Sequence, residues 1–146
     1  MRYRSVILVG LLWLFLDLMT KDWMKEIGHK NTGIAFSVPV PLGLQIAISI
    51  GLIVFLLYLF IRQKKEFTCH PPLLNSFVFG IILGGACGNL VSRMMNGYVI
   101  DFIKLGPIPL FNIADLGITV GITLLILVNF LILTFRLHFS FATVWN

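Results

Sequence analysis

Charged side chains are scarce in this chain. Asp, Glu, Lys and Arg make up only 12% of its 146 residues, and just six positions are acidic. A soluble domain of this size carries roughly a quarter charged residues. Here 58% are hydrophobic and the mean hydropathy is +0.98, so the surplus apolar surface must face lipid. Cysteine is almost missing too. Cys69 and Cys87 fall at different depths, in a loop and in an apolar run, so a disulfide is not expected. His29, His70 and His138 are far apart and lack the H-E-x-x-H spacing, so neither a metal site nor a cofactor is expected. There is no G-x-S-x-G elbow and no Ser-Lys cluster, which leaves serine-based hydrolysis without a carrier, and the intramembrane aspartyl motif Gly-x-Gly-Asp is also absent. Internal repeats and low-complexity tracts are absent. The pI near 9.6 has no RNA- or DNA-binding motif beside it, so nucleic acid is not an expected partner.

What is present is a set of long apolar runs. A helix needs about 20 residues, at about 1.5 Å each, to cross the hydrocarbon core. Four windows qualify, at about 5–23, 42–61, 73–94 and 116–135. The expectation is an all-α integral membrane protein, a four-transmembrane-helix bundle forming one domain over 1–146. Arg2 and Arg4 before an apolar run could open a signal peptide, but no small-x-small site follows, so the first span is expected to stay. One side of the membrane holds Arg2, Arg4, Arg62, Lys64, Lys65 and Arg136 against Glu66. The other holds Lys21, Lys25, Lys30, Arg93 and Lys104 against Asp17, Asp22, Glu26, Asp101 and Asp115. The whole excess of +5 therefore sits on one face, which places both termini in the cytoplasm.

Between the spans, Asn31-Thr32-Gly33 marks a turn, and the residues after it can run extended until Pro39 and Pro41. Tyr98 to Ile103 reads as a short extended piece after the Asn96-Gly97 turn, giving a small β element on the exoplasmic face. The loop 62–72 is a basic hairpin closed by Pro71-Pro72, with no chemistry apparent. Gly80 and Gly84 belong to a small-residue stripe on the third helix that suits close packing.

Polar groups near a membrane are costly, so their positions inform. Asp17 and Lys21 stand four apart, acid first, as a neutralised pair with Lys21 reaching toward the interface. Asn89 and Arg93 are also four apart. Asn89 lies deeper and needs a partner, which suggests a buried network reaching toward the first loop. Asp101 and Asp115 lie in apolar surroundings, where an isolated carboxylate is driven to hold its proton. Asp115 could simply cap the fourth helix; Asp101 has no such explanation. Two neighbouring carboxylates that share one proton can act as base and acid on a water and a scissile carbonyl.

In these residues the chain resembles the lipoprotein signal peptidases (type II signal peptidases) of bacteria. The matching pieces are Asp17-Leu-Met-Thr-Lys21, Asn31-Thr-Gly33-Ile-Ala-Phe36, Gly84-Gly-Ala-Cys-Gly-Asn89 with Arg93, Val99-Ile-Asp101-Phe-Ile103, and Phe111-Asn112-Ile-Ala-Asp115. They occur in the family's order from Asp17 to about Gly121. The resemblance implies an aspartic endopeptidase that cuts prolipoproteins before a diacylglyceryl-modified cysteine, with Asp101 and Asp115 catalytic. It implies that Asn31, Gly33, Asn89, Arg93 and Asn112 line the site and that Asp17 and Lys21 support it. It also implies a monomer in the bacterial cytoplasmic (inner) membrane with its site near the exoplasmic face. Its partners would be the prolipoprotein substrate, membrane lipid and globomycin-like inhibitors. Two departures stand out. Ser92 occupies a position where the family usually has Asp, leaving Arg93 freer or paired with Asp101. The stretch from Lys21 to Asn31 is also short. They keep open a paralogue that binds lipopeptide or inhibitor without turnover. A proton-coupled transporter using Asp17 or Asp101 is a further class.

Overall fold

Each apolar run becomes a helix. In the computed structural model, which describes residues 2–34, 38–62 and 72–144, four helices alternate with two short strands. They are α1 (Arg2–Trp23), β1 (His29–Asn31), α2 (Leu42–Arg62), α3 (Pro72–Asn96), β2 (Val99–Asp101) and α4 (Ile113–Val144). All four helices contain a segment long and apolar enough to cross a membrane. The expected Ala35-Phe36-Ser37 extension and the basic loop with Lys64, Lys65, Cys69 and His70 lie outside the described residues.

The third helix is the hub. Most of its span is buried, whereas α1, α2 and α4 turn most of theirs outward. Side chains such as Leu8, Phe15, Val54 and Phe130 are exposed, as lipid-facing surface must be. The apolar core joins Val6 of α1, Leu56 and Phe60 of α2, and Val78, Phe79, Ile81, Ile82 and Leu83 of α3. Phe60 ties three helices together, with its ring 5.1 Å from Phe79 and edge-on to Tyr3 at 5.7 Å.

Among apolar helices in lipid there is little hydrophobic gain from association, so close backbone approach has to supply packing. The stripe on α3 does this against α1. A Cβ at Gly84 would stand 2.5 Å from the Gly10 carbonyl oxygen and 2.9 Å from Trp13 Cβ. One turn on, a Cβ at Gly88 would collide with the Asp17 carboxylate. The stripe thus brings α1 near enough for its polar residues to meet those of α3.

At the polar end α3 stops at Gly97, whose φ of 79° and N–H bond to the Arg93 carbonyl (3.0 Å) make a left-handed cap. The chain then runs as β2, antiparallel to β1, with His29 opposite Asp101, Lys30 opposite Ile100 and Asn31 opposite Val99. The strand before the second span therefore lies at His29–Asn31, in what the sequence suggests is a mere connector. Beyond β2, Ile103 and Phe111 exchange backbone hydrogen bonds at 2.8 and 3.1 Å. This closes the intervening loop at its base and returns the chain to the side of β2, where α4 begins.

Gly84→Ala is expected to lower stability by about 1–3 kcal/mol through overpacking against backbone that cannot swing away. Gly43→Ala, where a Cβ meets nothing within 4 Å, should hold it or raise it by up to about 1 kcal/mol. Unfolding midpoints of the two variants in detergent check this.

Candidate active site

The antiparallel order of the helices collects the polar residues at one end, where α1 and α3 finish and α2 and α4 start. Asp17, Lys21, Gln45, Asn89, Ser92, Asp101 and Asn112 are all buried there. In an apolar setting each such group must find a partner or impose a cost of several kcal/mol, of the order of 2–7 per group.

The Asp17–Lys21 pair is the base of the network. Lys21 Nζ donates to Asp17 Oδ2 at 2.7 Å and to Asn89 Oδ1 at 2.9 Å. Lys21 is only 4% exposed, so it turns inward between helices instead of snorkelling to the interface. Asp17 Oδ1 accepts from the Ala114 N–H at 2.8 Å, in the first turn of α4. A carboxylate from α1 thus satisfies one of the free amides at the α4 N-terminus, where the helix dipole favours negative charge.

Asn112 is the N-cap of α4. Its Oδ1 accepts from the Asp115 N–H at 3.0 Å, and Asp115 Oδ2 reaches back to the Asn112 N–H at 3.4 Å, a capping-box arrangement. Asp115 is therefore the third residue inside the helix and not its cap, which corrects the capping role open to it from sequence. Its other oxygen, Oδ1, accepts from Asn89 Nδ2 at 2.7 Å.

Asp101 ends β2. Its Oδ2 accepts from Asn31 Nδ2 at 2.8 Å and its Oδ1 from Asn112 Nδ2 at 2.6 Å. Asn112 therefore touches both aspartates: its amide nitrogen serves the Asp101 carboxylate while its oxygen and backbone hold Asp115. Burial raises the Asp101 carboxyl above the ordinary carboxylate range; the two asparagine hydrogen bonds pull the other way, and the Asp115 charge adds to the rise.

Arg93 points toward the first loop. Its Nε donates to Gln45 Oε1 at 2.9 Å, and its two terminal nitrogens reach the Asn89 and Gly33 carbonyls at 3.4 and 3.3 Å. No hydrogen bond joins it to Asp101 among the described residues, so the expected substitute pairing is not made. Nor is Arg93 left free: Gln45 takes it. Ser92 turns away and donates to the Gly88 carbonyl at 2.8 Å. Gly33 closes an Asx turn, its N–H bonded to Asn31 Oδ1 at 2.9 Å.

All nine residues singled out from sequence thus fall in this cluster. Two contributors carry no motif. Gln45 is a lone amide in the apolar start of α2, a signal that intramembrane polarity could have supplied. Trp13 donates from Nε1 to the Ile113 carbonyl at 3.2 Å and packs on Gly117, steadying the start of α4; nothing in its local sequence marks it. Among the described residues, no group of three or more His, Cys, Asp and Glu is placed to hold a metal ion.

Four apolar spans with a buried carboxylate–amide–ammonium cluster at one end define a multi-pass membrane protein with a built polar site. The fold agrees with two solved structures described as bacterial membrane enzymes. They superpose with TM-scores of 0.74 and 0.72 at 25% identity, over 85% of this chain and 86% and 91% of theirs. The family model for signal peptidase (SPase) II matches residues 6–131, and the chain belongs to that family. It is 44% identical over 99 residues to a lipoprotein signal peptidase of Dehalococcoides mccartyi, covering 66% of this chain and 61% of that protein. It is 46% identical over 88 residues to one of Caldicellulosiruptor bescii (60% and 52%) and 41% over 108 residues to one of Brucella ovis (69% and 64%). The matched part spans less than two thirds of the length of each of these relatives.

Replacing Lys21 by Met leaves Asp17 buried without its counter-charge and should cost about 3–5 kcal/mol of stability. Lys25→Met, which breaks only the exposed pair with Asp22, should cost less than about 1 kcal/mol. Denaturation in detergent, compared between the two variants, measures the contrast.

Proposed function

We propose that this chain is a membrane aspartyl endopeptidase that removes the signal peptide of diacylglyceryl-modified prolipoproteins, cutting before the lipidated cysteine. The observation that carries the reading is the double engagement of Asn112 with Asp101 and Asp115. One carboxamide fixes two carboxylates from separate elements in a single hydrogen-bonded unit.

The charges support a shared proton. The cluster holds three acids, Asp17, Asp101 and Asp115, and two bases, Lys21 and Arg93. One proton on the aspartate pair makes the whole buried set neutral, the state that a low-dielectric site favours. The ionised carboxylate takes a proton from water as its oxygen attacks the scissile carbonyl carbon. The protonated one gives its proton to the carbonyl oxygen, leaving a tetrahedral diol. Collapse of the diol breaks the C–N bond, and the departing amine takes a proton from the pair.

A lipid-anchored precursor reaches such a site by moving sideways within the bilayer, which suits a cluster at the end of largely lipid-facing spans. Arg2, Arg4 and Arg62 belong to the opposite helix ends, and the preference of basic residues for the cytoplasm puts both termini there. The site then faces the exoplasmic side of the bacterial inner membrane. The working unit is a monomer of one membrane domain, and globomycin-like peptides would compete with the precursor for the site.

Asp101→Asn and Asp115→Asn should each abolish cleavage of a diacylglyceryl precursor in vitro while the helical circular dichroism stays that of the wild type. Full processing by both variants would sink the assignment. In the wild type, kcat/KM should fall on the alkaline side as the aspartate pair loses its shared proton. That limb should lie above the ordinary carboxylate range, because burial raises Asp101.

A further inference from the structure

Three side chains of α2 are buried, the apolar Leu56 and Phe60 and the polar Gln45. It is 2% exposed in a helix whose other faces are mostly turned outward. All of its hydrogen-bonding groups on the amide are engaged. Nε2 donates to the Thr32 carbonyl at 2.7 Å and to the Val40 carbonyl at 2.6 Å, while Oε1 accepts from Arg93 Nε at 2.9 Å. The two carbonyls can only accept and the guanidinium can only donate, so the partners themselves fix which way the amide faces. A carboxylate there would set an oxygen against two carbonyl oxygens, and an apolar side chain would leave three groups unpaired.

The contacts form a path. Thr32 and Val40 are the two feet of the first loop, and Gln45 pins both to the start of α2. Arg93, held by the same amide, reaches the Gly33 carbonyl; the Gly33 N–H holds Asn31 Oδ1; and Asn31 Nδ2 donates to Asp101 Oδ2. We propose that Gln45 is a positioning residue, which straps the feet of the first loop to Arg93 and so holds the Asn31 carboxamide on Asp101. The inference rests on the peptidase reading for its catalytic consequence, and on the hydrogen-bond path alone for its structural one.

Two variants separate the contacts. Gln45→Met removes all three hydrogen bonds; Gln45→Glu keeps an acceptor for Arg93 but loses both donors to the loop. A small misplacement of a site group can cost about 100-fold in rate, and both variants should lose about that in kcat. The alkaline limb should move to higher pH in Gln45→Met, because the Asn31 hydrogen bond favours ionised Asp101 and its loss leaves burial less opposed. The other groups around Asp101 are Asp115 on α4, Lys21 on α1, Arg93 on α3 and His29 across the sheet. Of these only Arg93 loses a contact in Gln45→Met, and a cation drawn toward Asp101 would move the limb down, so a rise reports on Asn31. Amide exchange at Gly33, read by mass spectrometry on the intact protein in detergent, should quicken in both variants. Full activity in Gln45→Glu would show that the arginine contact suffices and would overturn the strap. So would a loss confined to KM with the pH profile unmoved, or unchanged exchange at Gly33. If the wild type itself leaves the precursor uncut, the peptidase reading fails, and the exchange result alone decides the role of Gln45.

Discussion

The buried ion pair between Asp17 and Lys21 is the constraint on which the polar end of this bundle depends. Neither charge could stay there alone, and together they still have unsatisfied atoms. Those atoms are spent on neighbours: the carboxylate caps the first turn of α4 through Ala114, and the ammonium reaches Asn89 on α3. Three helices are thereby joined by one pair of charges. Asn89 passes the connection to Asp115, so the first turn of α4 is set by α1 and α3. The small residues at Gly84 and Gly88 are the precondition, since a larger side chain on that stripe would hold α1 too far away for the pair to form its links.

Burying so many polar groups together has a second effect. Each amide in the cluster is oriented by partners that accept only or donate only, leaving little freedom to rearrange. Asn31, Asn89, Asn112 and Gln45 all use both ends of their carboxamides. Partly satisfied networks of this kind are costly in a low dielectric, whereas fully satisfied ones specify a single arrangement. Preorganisation of that sort is what the proposed sharing of a proton between Asp101 and Asp115 would need.

Much of this was legible in the sequence, and the reasons are physical. Spans follow from length and hydropathy, and all four helices overlap the apolar windows closely. The aspartates were visible because carboxylates in apolar surroundings demand explanation. Links between elements were less readable. The inward turn of Lys21 depends on which face of α1 meets α3, and the capture of Arg93 by Gln45 joins residues 48 apart in the chain. The position of Asp115 inside α4 depended on Asn112 winning the cap, a competition between two good capping residues three apart that spacing alone does not settle. Trp13 was invisible because its partner is a backbone carbonyl 100 residues away.

The backbone exchange between Ile103 and Phe111 carries a last consequence. It clamps the chain two residues after Asp101 and immediately before Asn112, so the seven residues 104–110 hang outside the clamp. The base of this excursion is fixed by main-chain hydrogen bonds that do not depend on the side chains carried above them. A change in the length or composition of the excursion therefore has little leverage on where Asp101 and Asn112 sit.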